Sequence, residues 1–228
     1  MDIKRNVELL FEEIASAAGQ SGRSAGDITL VAATKTNPAE RVREAIDAGI
    51  RHVGENRVQE LVEKNAAHAY DGAVIHFIGS LQKNKINKVV GTAQLIQSVD
   101  SLPLLRLISA RAELLGITQD VLLEVNIAGE DAKHGFSPPE LESALPEAAV
   151  LGGVCIRGLM AIPPVSDKPG GNRAHFAALR ELFIDISAKK YDNVSMGFLS
   201  MGMSGDFKDA ILEGANMVRV GTAIFGAR

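Results

Sequence analysis

Cysteine is almost missing from this chain of 228 residues, where Cys155 stands alone. One thiol can build neither a disulfide within the chain nor a cysteine-based zinc site, and such usage fits a reducing compartment, so a cytoplasmic location is expected. Long apolar runs are missing too. Val7, Leu9, Leu10 and Phe11 follow Lys4 and Arg5 as in a targeting signal, yet Glu8, Glu12 and Glu13 interrupt them. No stretch approaches the roughly 18 apolar residues of a spanning helix, so neither a secretory signal nor a membrane anchor is expected. An excess of positive charge is also absent. The 24 Lys and Arg against 28 Asp and Glu leave a net charge of −4, without the basic field that draws a protein to nucleic acid or anionic lipid. A small-molecule ligand is favoured instead.

What is present is a composition of 46% hydrophobic and 23% charged residues, with no low-complexity tract, internal repeat or interdomain linker. That composition belongs to a chain with a large core. Val7, Leu10, Phe11 and Ile14 recur at helical spacing and predict an amphipathic opening helix. From residue 27, short β-branched runs alternate with amphipathic stretches. Strands are expected at Ile28–Thr34, His52–Glu55, Val74–Ile78, Gln94–Val99, Val121–Asn126, Cys155–Ala161, Val194–Leu199 and Asn216–Val220. Helices are expected at Ala39–Ala48, Arg57–Ala67, Lys83–Val90, Leu102–Leu115, Pro139–Ala149, Ala174–Ala188 and Asp206–Glu213. Eight units in 228 residues give about 28 residues each, near the ~30 of a βα repeat. The simplest architecture is a single (β/α)8 TIM barrel with an additional N-terminal helix, residues 1–228 forming one domain; a doubly wound open sheet is the runner-up. The Pro163–Gly171 loop reads as a surface excursion.

In a parallel barrel the functional side chains gather at the C-terminal ends of strands. Those positions hold Lys35, Glu55, Asn56, Gly79, Ser80, Asp100, Asn126, Met160, Ser200, Met201, Arg219, Gly221 and Thr222, a polar and glycine-rich set beside apolar strands. The period of two puts Thr29, Val31, Ala33 and Lys35 on one face, with Leu30, Ala32 and Thr34 on the other. If the first face is the interior, desolvation favours a free Lys35 amine able to attack a carbonyl; otherwise Lys35 is a solvated lysine past a strand end. Arg219 shares a face with Met217 and Gly221. It either points inward to a ligand's ring nitrogen or anion, or faces the helices and pairs with a carboxylate. Ser200–Asp206 and Gly221–Gly226 follow strands seven and eight, where barrels commonly bind phosphate, and Ser200 and Thr222 add hydroxyl donors. Ser204 reads as the N-cap of the next helix. Asn56 reads as a ligand contact or a helix N-cap, and Lys133 and His134 as a second rim contact or exposed loop charges. The five histidines show no metal spacing.

Taken together, a lysine ending strand one, an arginine in strand eight and phosphate loops after strands seven and eight describe a pyridoxal phosphate (PLP) barrel. Over nearly its whole length the chain resembles the pyridoxal phosphate homeostasis proteins, single-domain relatives of the alanine racemase N-terminal barrel. The resemblance is carried by Val31–Thr36, Gly54–Glu60, His76–Gly79, Ser98–Asp100, Gly158–Pro163, Leu199–Ser204 and Val218–Gly226. It implies that Lys35 carries the cofactor as an aldimine, that Ser200, Gly221 and Thr222 hold its phosphate, that Arg219 faces the pyridine nitrogen, and that Asn56 and Met201 wall the pocket. Arg57, Ile75 and Ser80 stand where the family commonly has tyrosine, tryptophan and histidine.

The resemblance further implies a handler of PLP in cofactor and amino-acid homeostasis, without established catalysis. A racemase on this fold needs a second acid opposite the lysine. The only tyrosines, Tyr70 and Tyr191, fall on the N-terminal side of strands, away from the rim. An arginine also leaves the ring nitrogen unprotonated and the cofactor a poorer electron sink. A non-enzymatic, monomeric PLP carrier that serves apo forms of PLP enzymes is therefore expected. The rival readings are a low-activity PLP-dependent amino-acid racemase and a lysine Schiff-base aldolase.

Overall fold

A computed structural model of the protein describes residues 2–130, 133–166 and 168–226. Eight parallel strands close into a barrel in chain order: β1 Thr29–Ala33, β2 His52–Glu55, β3 Val74–Phe77, β4 Leu95–Val99, β5 Gln119–Glu124, β6 Val154–Met160, β7 Val194–Ser200 and β8 Met217–Val220. The helices are α1 Ile3–Gln20, α2 Ala39–Asp47, α3 Val58–Ala66, α4 Ile86–Val89, α5 Leu102–Leu114, α6 Pro138–Ala148, α7 Arg173–Ala188, α8 Phe207–Leu212 and α9 Thr222–Phe225. The closed barrel replaces the open-sheet alternative. Its seam is the β1–β8 pairing, with Thr29 opposite Met217 and Val31 opposite Arg219.

Side-chain alternation divides the apolar residues between two cores. Val31, Leu95, Leu122, Met160 and Met217 fill the barrel interior, while Leu30, Ala32, Val53, Val218 and Val220 join the larger layer between sheet and helices. Each fully buried aliphatic side chain contributes about 1.5–3 kcal/mol. Close strand contact makes one glycine obligatory. A Cβ on Gly158 would stand 1.8 Å from the Phe198 carbonyl oxygen, at a φ of +150°, where the β6–β7 register shifts.

α1 is capped by Asp2, whose carboxylate accepts from the Arg5 amide. It buries Ile3, Val7, Leu10 and Ile14. Phe11 departs from the expected stripe and stays 40% exposed. α1 covers the seam side of the barrel: Asn6 Nδ2 donates to the Ile224 carbonyl at 2.9 Å, and Arg23, beyond its end, to that of Ala215 at 2.8 Å. Two expected elements differ. β5 starts and ends two residues earlier than expected, because Gln119 already pairs with Val154 while Val125 bridges to Phe136. The stretch from Lys83 begins as a 3-10 turn, Lys83–Lys85, before α4. No described helix is long and apolar enough to cross a membrane.

Candidate functional site

The face shared by Val31, Ala33 and Lys35 is the interior one, since Val31 lies in the inner core. Lys35 leaves the end of β1 into a pocket of about 200 Å³ lined by Ala33, Lys35, Thr36, Asn37, Arg41, Gly221, Thr222, Phe225 and Gly226. The sequence-predicted lysine and the loop after β8 thus meet. Gly221 comes close to β1, a Cβ there standing 3.2 Å from the Ala33 carbonyl oxygen. Thr222 opens α9 and is exposed. The first amides of a helix have no intrahelical acceptor, which makes this end receptive to an anion.

Arg219 points inward and is only 4% exposed. It donates to Ser200 Oγ, and its Nη2 donates to the Ala161 carbonyl at 2.9 Å. Burial lowers its pKa to about 10, opposed by Glu124 and Asp206, so the guanidinium stays charged at neutral pH. Because arginine only donates, the hydrogen bonds behind it acquire a direction. Ser200 accepts from Arg219 and donates to Gln97 Oε1 at 2.7 Å. Gln97 Nε2 lies 2.8 Å from His76 Nδ1, which must then accept. The proton of His76 is left on Nε2, 3.0 Å from His52 Nδ1. Burial, followed by the charge of His52, lowers the pKa of His76 to about 3, in keeping with a neutral ring. Burial also lowers that of His52.

Ser200 lies behind Arg219 in this network. Its side chain is fully buried and its hydroxyl is engaged by Gln97 and Arg219, so a phosphate contact would require giving up one of them. Met201 is fully buried in the layer between sheet and helices and is not among the residues that line the Lys35 pocket. Asn56 lines a separate cavity of about 610 Å³ with Arg57, Gln59, Ser80 and Lys85. Nor is Asn56 a helix cap, for Arg57 holds that position, and Asn56 Oδ1 is buried without a partner among the described residues. Ser204 is not a cap either. Asp206 precedes α8, and Ser204 Oγ accepts from the Gly221 amide at 3.2 Å, tying the two expected phosphate loops together. Lys133 pairs with Glu130 at 2.8 Å and His134 with Asp100 at 3.6 Å.

Sequence reasoning missed Gln97, Glu124 and the His52–His76 contact. Gln97 was detectable as a polar residue inside an apolar strand. The histidine pair depends on β2–β3 register, with Gly54 opposite His76, which spacing along the chain does not reveal. Glu124 is nearly buried, and its pKa is raised by burial and then by Asp100, against Arg219 and His134. Tyr70 also differs from expectation. Its hydroxyl reaches Glu55 Oε1 at the C-terminal end of β2, at 3.0 Å, but on the helix-facing side of the sheet. Burial and then the Glu55 charge push its pKa upward.

The family model for the alanine racemase N-terminal domain matches residues 20–228. A pyridoxal phosphate homeostasis protein of Aquifex aeolicus is 41% identical over 228 residues, covering 100% of this chain and 99% of that protein. The chain belongs to this family. A solved protein from Bifidobacterium adolescentis is 40% identical with a TM-score of 0.93, over 98% of this chain and 94% of that one. PipY of Synechococcus elongatus, solved with PLP bound, is 36% identical with a TM-score of 0.82, over 93% of this chain and all 100% of that one. The family's barrel is the architecture built here from alternating strands and helices.

Proposed function

We propose that this chain is a PLP-binding protein of cofactor and amino-acid homeostasis, holding PLP as a Schiff base on Lys35 and running no catalytic cycle of its own. The observation that carries the reading is the shared pocket of Lys35, Gly221 and Thr222, with Arg219 inside the barrel one layer below, opposite Val31. An amine, an anion-receptive helix end and a fixed ring-nitrogen donor suit the aldehyde, phosphate and pyridine of PLP. Once bound, PLP supplies an electrophilic aldehyde and an electron-accepting ring.

The residues divide that work. Lys35 provides the amine. Gly221 and Thr222 hold the phosphate, and Ser200 serves the site through Arg219. Arg219 donates to the ring nitrogen and, charged at neutral pH, keeps it unprotonated. Asn56 and Met201 bound the region from a neighbouring cavity and from the core behind β7, respectively. The non-catalytic reading is supported by the acids on hand, since the Tyr70 hydroxyl is engaged by Glu55 outside the sheet and cannot deliver a proton to a ligand on Lys35. The names of the relatives agree with it. Residues 1–228 constitute one PLP-binding barrel domain, working as a cytoplasmic monomer that exchanges PLP with apo forms of PLP enzymes.

The test is hydrogen exchange at the α-carbon, followed by NMR in deuterated water with alanine and other amino acids added to the PLP-loaded protein. The expected rate equals that of free PLP. Rapid exchange that disappears in Lys35→Ala would promote the racemase alternative.

A further inference from the structure

The turn that presents Lys35 is strained. The Asn37 amide donates to the Thr34 carbonyl at 3.1 Å, closing a β-turn with Lys35 and Thr36 at its centre. Thr36 has a φ of +63°, a state that suits glycine or asparagine and that a β-branched residue rarely occupies. Such strain persists only where surrounding groups enforce it, and it collects at functional sites.

The enforcing groups come from α3. Glu60 Oε2 accepts from the Thr36 amide at 2.6 Å. Lys64, one helical turn on, donates to the Thr34 carbonyl at 2.9 Å and to Glu60 Oε2 at 2.9 Å. Lys64 also pairs with Glu55, which accepts from Tyr70 and stands 2.6 Å from Thr34 Oγ1. The ammonium is thus anchored on both sides. Desolvation would raise the Glu60 pKa, but hydrogen bonds from Lys64 and the Thr36 amide, together with the charges of Lys64 and Arg57, lower it instead. Lys35 is held through its backbone, its carbonyl accepting from Thr36 Oγ1 at 2.6 Å and Asn37 Nδ2 at 3.1 Å. Its exposed amine therefore goes where the turn directs it.

We propose that Glu60 and Lys64 are positioning residues for Lys35, clamping Thr36 in its left-handed conformation so that the lysine amine faces the loop of Gly221 and Thr222. This rests on Lys35 being the residue that captures PLP. Without the clamp, Thr36 relaxes to negative φ, the 35–36 peptide rotates, and the amine turns away from the pocket.

The full chain carrying Glu60→Ala, Glu60→Gln, or Glu60→Ala combined with Thr36→Gly is titrated with PLP and, separately, with pyridoxine 5′-phosphate, which has the same ring and phosphate but no aldehyde. Thermal unfolding reports folding in parallel. Glu60→Ala is expected to weaken PLP binding about tenfold and slow its capture, while pyridoxine 5′-phosphate binding stays within about twofold. Glu60→Gln, which can still accept from the Thr36 amide, recovers part of the loss. Thr36→Gly recovers part as well, because glycine takes positive φ freely. Equal weakening of both ligands, or none, overturns the clamp while leaving Lys35 as the capturing residue. Lys35→Ala separates the two ideas: undiminished borohydride-stable PLP labelling in that variant removes the Lys35 reading and the clamp with it.

Discussion

His76 shows how much a single residue depends on its surroundings here. It is 2% exposed, accepts from Gln97 and donates to His52, so the folded protein holds it neutral with a pKa of about 3 against an ordinary 6.5. The unfolded chain therefore binds a proton below pH 6.5 that the folded chain refuses. The stability this contributes is complete above pH 6.5 and is lost as pH falls toward 3, at a slope of up to about 1.4 kcal/mol per pH unit. Urea unfolding of His76→Gln across that window should fall less steeply with acid than the wild type does. Parallel curves would mean that His76 is not held neutral. Residue types such as this histidine were legible in the sequence, but their partners were not. Arg219 could face either way by alternation, and only the assembled barrel turns it inward toward Ser200.

At the level of elements, the strands and most helices were readable to within one or two residues because hydrophobic period and turn residues agree along most of the chain; α4 starts three residues late, behind its 3-10 turn, and the short α9 was not expected. Disagreement arose where an end is decided by a distant partner. β5 stops early because Val125 bridges to Phe136, and Ser204 turns from α8 toward the Gly221 amide. The loops after β7 and β8 were expected to share the phosphate, and the division of labour proposed for them makes a prediction. Thr222→Ala should weaken PLP binding more than pyridoxal binding, since a hydrogen bond to a charged group contributes roughly 1.5–3 kcal/mol. Ser200→Ala should weaken both equally, because it acts through Arg219 on the ring. Calorimetric titration of both variants with both ligands reads the difference, and a phosphate-selective loss in Ser200→Ala would restore the hydroxyl to the phosphate.

On the scale of the whole molecule, the barrel brings together what the chain keeps far apart. Lys35 and Thr222 meet across the β1–β8 seam, with α1 packed over its outer side. The fold class was legible because eight βα units in a chain of this length have one simple closed solution. The candidate site was legible only as a ring of strand ends. Which members face the pocket, which lie beneath it and which belong to a neighbouring cavity follows from register and closure. By the proposed function, this closure delivers Lys35 to PLP. Reduction of the PLP-loaded protein with borohydride, followed by digestion and mass spectrometry, measures it most directly. A pyridoxyl label on Lys35 that is lost in Lys35→Ala is expected; a label borne mainly by Lys133 or another lysine in the unsubstituted protein would contradict delivery by Lys35.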